Sequence, residues 1–122
     1  MIGYVTFGTN DLPRAAAFYD ALLAEMAAKR VWDTDRGIGW GVSRSQPTLG
    51  LLAPFDGQPA TPGNGTMVAL MAGSREMVDR LHARALALGG TDEGSPGDRG
   101  GGFYGAYFRD PDGNKLCFFH FG

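Results

Sequence analysis

Along this chain the spacing of apolar residues changes from strand-like to helix-like and back, and the whole pattern occurs twice. Ile2 to Gly8 is rich in β-branched and aromatic residues and reads as a short strand, stopped by Thr9-Asn10-Asp11. Asp11 is a good helix N-cap, and Pro13 falls in the first turn, where its missing N–H costs little. Ala15, Phe18, Leu22 and Met26 then follow at helical spacing, which predicts an amphipathic helix ending near Lys29. Three short strands are expected next, near Arg30–Asp33, Ile38–Ser43 and Thr48–Ala53, separated by Asp35-Arg36-Gly37 and Ser45-Gln46-Pro47. Pro54 to Gly65 has no periodicity, and its Pro, Gly and Asn content marks a connecting loop.

After that loop the order restarts. Thr66–Ala72 is a second leading strand, and Ser74 is a second N-cap. Val78, Leu81, Ala85 and Leu88 form a second helical stripe, ended by Gly89-Gly90. A short strand is expected at Thr91–Gly94, and Ser95 to Gly102 reads as a mobile glycine-rich loop. Phe103–Arg109 and Lys115–Phe121 predict a hairpin around Asp110-Pro111-Asp112-Gly113-Asn114. Asp11 and Ser74 lie 63 positions apart, as do Ala15 and Val78, Phe18 and Leu81, and Leu22 and Ala85. The common offset is that of a duplicated supersecondary unit whose copies can pair to bury a core. The expectation is one α+β domain of two βαβββ modules, about 1–55 and 66–122, joined by a linker at about 54–65.

Composition narrows the function. The 122 residues are 43% hydrophobic, enough for a folded core, and the net charge is −2. No Lys or Arg run offers a footprint for nucleic acid or a basic face for a membrane, so neither partner is expected. The start lacks the charged and continuously apolar stretches of a signal peptide, and no apolar run approaches the ~20 residues that span a bilayer. A soluble cytoplasmic protein is the default expectation. The single cysteine, Cys117, leaves no intramolecular disulfide framework.

Two segments carry a family resemblance. Asn10-Asp11-Leu12-Pro13-Arg14-Ala15-Ala16-Ala17-Phe18-Tyr19 resembles the first strand-to-helix junction of the vicinal oxygen chelate superfamily, the glyoxalase/bleomycin resistance protein/dioxygenase group. Tyr107-Phe108-Arg109-Asp110-Pro111-Asp112-Gly113-Asn114-Lys115-Leu116 resembles its closing hairpin. The resemblance implies a curved mixed sheet with helices outside and a ligand on the concave face. It also implies a homodimer, which no pattern in the sequence itself suggests.

Metal-dependent members of that superfamily present a His on the first strand of each half and a Glu on the last. The matching positions here are Tyr4, its duplicate Met67, Cys117, and one residue among Gly50, Leu51 and Leu52. A neutral phenol, a thioether and a lone thiol make a poor cage for a hard or borderline dication, so neither metal nor other cofactor is expected. Strand alternation extends the ligand-facing set to Thr6, Ala69, Met71 and Phe119, and the family pattern adds Tyr107 and Arg109. Trp40 is included as a further candidate whose face the pattern does not decide.

The other chemical candidates have plainer readings. His82 borders the second helical stripe and is expected to be an exposed partner of Asp79, and His120 to face away from Cys117 in a structural role. Cys117 is expected to be a buried, inert thiol, and Asp110 and Asp112 to serve as turn residues. The preferred expectation is a metal-independent protein that binds a small apolar or aromatic molecule. One alternative is a lyase, isomerase or dioxygenase-type enzyme, using a displaced metal or acid–base chemistry by Tyr4, Tyr107 and Arg109. Another is a dimer-forming module with a filled core.

Overall fold

A computed structural model describes all 122 residues, Met1–Gly122. The first helix, α1 (Leu12–Ala24), starts where the sequence places a cap, the Asp11 carboxylate accepting from the Arg14 amide at 3.1 Å. It ends several residues before the expected Lys29. The chain turns out of it at Ala27, whose φ of 59° is the left-handed conformation, and the Ala28 amide closes the end on the Leu23 carbonyl at 3.0 Å. Glu25, Met26, Ala27 and Ala28 are all competent helix formers, so nothing local marks this stop. The second helix, α2 (Arg75–Ala87), is capped by Ser74 and closes with the same geometry through Gly89, the residue type that position favours.

The first unit, Met1–Pro62, adds four strands: β1 (Tyr4–Gly8), β2 (Lys29–Asp33), β3 (Gly37–Gly41) and β4 (Thr48–Leu52). They form a sheet in the order β1-β4-β3-β2, with β1 parallel to β4 and the other pairs antiparallel. Phe7, Ile38, Trp40, Leu49 and Leu51 are buried, as are Ala15, Phe18, Tyr19, Leu22 and Leu23 of α1, and they form this unit's core.

The second unit, Gly63–Gly122, repeats the plan with β5 (Val68–Met71), β6 (Thr91–Asp98), β7 (Phe103–Arg109) and β8 (Lys115–Phe121), in the order β5-β8-β7-β6. Again the leading strand runs parallel to the last. Ala106, Phe108, Leu116 and Phe118 form its core with Val78, Leu81 and Ala85 of α2. The architecture is therefore α+β with two βαβββ modules, as the duplicated pattern predicts. No helix is long and apolar enough to cross a membrane.

One expectation about this unit is corrected. Ser95–Asp98 is not a loop but the second half of β6, which pairs with β7 through Gly97–Gly105 and Asp98–Tyr104. Register shifts between Asp92 and Gly94 and between Gly94 and Gly97 hid the strand, and Pro96 is tolerated because β6 is an edge. Only Arg99–Gly102 remains as a turn, with Gly100, Gly101 and Gly102 all at positive φ.

Candidate ligand-binding surfaces

Pairing register settles which residues share a face. Thr6 stands opposite Gly50 in the first unit, and Ala69, 63 positions further on, stands opposite Cys117 in the second. The position equivalent to Cys117 is thus Gly50, while Leu51 is buried in the core. In the first unit the face turned away from α1 carries Tyr4, Thr6, Gly39, Gly50 and Trp32. Trp32 lies flat over the two glycines, so that a Cβ at Gly50 would come within 2.8 Å of its ring and one at Gly39 closer still. The Tyr4 ring meets this indole edge-on, with centroids 6.5 Å apart, and Tyr4 itself is 66% exposed.

Trp40, counted among the ligand-facing candidates, belongs elsewhere. It is only 2% exposed, packs on Tyr19 at 5.4 Å between centroids, and donates its indole N–H to Asp20 at 2.8 Å. Asp20 also accepts both arms of Arg30, at 2.7 and 3.0 Å. That guanidinium, ahead of burial and the Trp40 donor in weight, holds the Asp20 carboxyl below the usual range. Trp40 is thus a tie between sheet and helix, and Trp32, which sequence reasoning passed over, is the tryptophan on the other face.

Beside Thr6 the first unit opens into a cleft of about 370 Å³, lined by Thr6, Arg36, Leu52, Phe55, Pro59 and Ala60 among others. Asn10 holds its outer wall, accepting from the Ala60 amide at 2.7 Å and donating to the Ala60 carbonyl at 3.0 Å. The Arg36 guanidinium lies over the exposed ring of Phe55 at 5.4 Å, with its Nε donating to the Ala53 carbonyl. The non-periodic loop is therefore a built wall, a role its composition did not reveal.

In the second unit the face turned away from α2 carries Ala69, Met71, Phe103, Tyr107, Arg109, Lys115, Cys117, Phe119 and Phe121. Met71 is 69% exposed, and Met67, just before β5, is also exposed. Phe103 and Phe119 are stacked at 5.4 Å with Phe121 edge-on to both. Cys117 is a free, fully buried thiol donating to the Phe118 carbonyl at 3.5 Å. Burial pushes it up, outweighing the opposing effects of the Ala106 backbone, Tyr107, Arg99 and Lys115. An activated nucleophile needs the reverse shift.

Arg109 does not reach outward as a ligand group. Its Nε donates to Glu93 at 2.7 Å and its Nη1 to the Gly113 carbonyl at 2.8 Å, so it clamps the closing hairpin. His82 is buried at 5% exposure and pairs with Asp92 at 3.1 Å and the Tyr107 carbonyl at 3.2 Å, not with Asp79. Asp79 instead accepts from the Tyr104 hydroxyl at 2.6 Å. His120 meets the Ala72 carbonyl at 3.0 Å, on the face away from Cys117. Asp110 is buried in the turn, accepting from the amides of Asp112 and Asn114 at 2.9 Å.

The residues at the four family positions do not fit a metal ion. Tyr4 and Gly50 stand in the first unit and Met67 and Cys117 in the second, and no group of three His, Cys, Asp or Glu side chains capable of holding a metal occurs in the chain. Glycine offers no side-chain donor, and a thioether is too soft for the ions that oxygen-chelating sites take.

Comparison with known proteins agrees with this architecture. The family model of the Glyoxalase/Bleomycin resistance protein/Dioxygenase superfamily matches residues 1–118. A solved glyoxalase/bleomycin resistance protein from Albidiferax ferrireducens T118 is 41% identical, covering 100% of this chain and 99% of its own, with a TM-score of 0.91. A hypothetical protein from S. aureus is 27% identical over 98% of this chain and 92% of its own, with a TM-score of 0.77. A lactoylglutathione lyase from Agrobacterium tumefaciens shares the fold at 22% identity and a TM-score of 0.70, covering 98% and 92%. No protein of curated function matches the chain.

Proposed function

This chain belongs to the glyoxalase/bleomycin resistance protein/dioxygenase superfamily, and from that premise we propose that it binds a small apolar or aromatic molecule without a metal. The observation that carries this reading is Trp32 lying over Gly50. Where a metal-dependent relative would project a carboxylate, this chain has no side chain, and the vacated space holds an indole. Tyr4 beside it offers a second ring, and Thr6 a hydroxyl at the mouth of the cleft. A cleft of about 370 Å³, in which Leu52, Phe55 and Pro59 stand among Thr6, Arg36, Asp56 and Thr61, has the size of a small-molecule site. Tyr4 in the first unit and Met67 and Met71 in the second are exposed apolar residues of the kind that a bound ligand covers.

Acid–base catalysis is the weaker reading. It asked for a free guanidinium at Arg109, and that group is engaged by Glu93 and the Gly113 carbonyl. Titration with benzyl alcohol, a neutral aromatic, followed through the Trp32 indole N–H resonance, tests the proposal. Saturable shifts that are indifferent to chelator and lost in Trp32→Ala are expected. Retention of one divalent ion per chain after dialysis against Mn²⁺, Ni²⁺ or Zn²⁺, with Tyr4 or Cys117 as a ligand, would overturn it.

A further inference from the structure

In the second unit, Arg75 is paired with Asp98 at 3.2 Å and Arg109 with Glu93 at 2.7 Å. Two other cations, Arg99 and Lys115, have no carboxylate partner, and both stand over the same ring. The Arg99 guanidinium and the Lys115 ammonium are each 5.5 Å from the centroid of Tyr107. The chain as a whole has a net charge of −2, so this is a local concentration of positive charge against the general sign.

Arg99 is seated there by the backbone. Its Nη2 donates to the Ser95 carbonyl at 2.6 Å. A Cβ at Gly97 would come within 2.8 Å of Nη1, and one at Gly94 within 2.9 Å of the Tyr107 ring and 3.5 Å of Nη2. Glycine weakens a strand interior, and here its absence of side chain makes room for close approach. The two glycines of β6 thus form a trough that receives the guanidinium and the phenol ring together. Holding such groups in place beforehand lowers the ordering cost of binding. On the same face Phe103 and Phe119 present a stacked aromatic slab with an interplanar angle of 7°.

We infer that this face binds an aryl anion, a planar aromatic molecule bearing a carboxylate or phosphonate, drawn by the Arg99 and Lys115 charges that flank Tyr107 and offered the Phe103–Phe119 pair on the same face. The inference rests on the ligand-binding reading and goes beyond it, adding a charged ligand class on the sheet face of the second unit. The anion supplies the charge that neither cation finds within the protein. Charge-assisted hydrogen bonds are the stronger and more geometrically selective kind.

Benzoate and benzamide have nearly the same shape and differ in charge, so they separate the two readings. Titrations followed by the backbone amide resonances of β6, β7 and β8 should show benzoate binding at least about tenfold tighter than benzamide. Arg99→Gln and Lys115→Gln should each weaken benzoate by roughly tenfold and leave benzamide unchanged. Arg99→Lys, which keeps the charge, should retain most of the preference, and unchanged melting temperatures would show that the variants are folded. Equal affinities for the two probes, indifferent to both Gln variants, would sink the anion inference while leaving the ligand-binding reading intact. Binding of neither probe to this face would end the inference as well. The neutral-probe titration at Trp32 would then judge the broader reading on its own.

Discussion

Gly39→Ala is the substitution that most directly tests whether Trp32 is a fixed platform. Replacing a glycine inside a strand with alanine ordinarily gains about 0.5–1 kcal/mol, because the unfolded chain loses freedom. Here the added methyl would sit 2.6 Å from Cζ2 of Trp32 and nearer still to Cε2 and Nε1. Carbon atoms in contact rest at about 3.5–4.0 Å, so the indole must rise by ~1 Å or more and lose its contact with the sheet. Such overpacking typically costs about 1–3 kcal/mol, which reverses the sign expected for the backbone effect alone. Gly50→Ala meets the far edge of the same ring at 2.8 Å and should cost less than Gly39→Ala. Urea denaturation of the wild type, Gly39→Ala, Trp32→Ala and the double variant closes a thermodynamic cycle. With the indole removed, Gly39→Ala should become neutral or stabilising, giving a coupling of roughly 1.5–4 kcal/mol between sites in contact. If Gly39→Ala costs the same in the Trp32→Ala background, the indole does not occupy this position in solution and the platform does not exist.

Two further expectations concern the first unit. Ala27→Gly relieves a non-glycine residue held at a φ of 59° and should raise stability by about 0.5–1 kcal/mol in urea denaturation; a loss would mean that the α1 exit is not left-handed. Asp20, held below its usual range chiefly by Arg30, contributes stability that is present above the unfolded carboxyl pKa of about 3.9 and is lost as pH falls through the lower native value. Asp20→Asn keeps an acceptor for Trp40 but removes the charge, so its urea midpoint should fall below the wild type at pH ~7 and approach it at pH ~2.5. A deficit that is the same at both pH values would show that the charge contributes nothing.

The sequence carried the modules but left the face of Trp40 undecided and passed over Trp32, whose placement turns on a single bulge. Hydrophobic period, two N-caps and the Asp-Pro-Asp-Gly turn are local signals, and each produced its element within a few residues. Non-local pairing was needed elsewhere. The α1 exit at Ala27 and the extension of β6 through Gly94, Pro96 and Gly97 both run against local propensity. The fourth family position became Gly50 only once Thr6 was seen to pair with it.

The two tryptophans show how much can turn on register. Arg30 stands opposite Trp40, and both reach Asp20 on the α1 side. Strict alternation would put Trp32 on that side too, since residues two apart share a face. The register shift between Arg30 and Trp32 inserts one residue and sets Trp32 opposite Gly39, on the other face. A signal for this did exist, although alternation alone could not read it. Gly37, Gly39 and Gly41 occupy every second position of β3, leaving one face of that strand without side chains. A bare strip beside a bulged strand that carries a tryptophan is a place for a ring to lie, and Gly50 on the neighbouring strand widens it. The bulge and the glycines are therefore parts of one device: the bulge turns the indole to this face, and the glycines let it lie against the backbone. Because the ring fills the space at Gly50, restoring a carboxylate there would have to displace Trp32 first. A Gly50→Glu variant alone would thus be a poor route back to a metal centre.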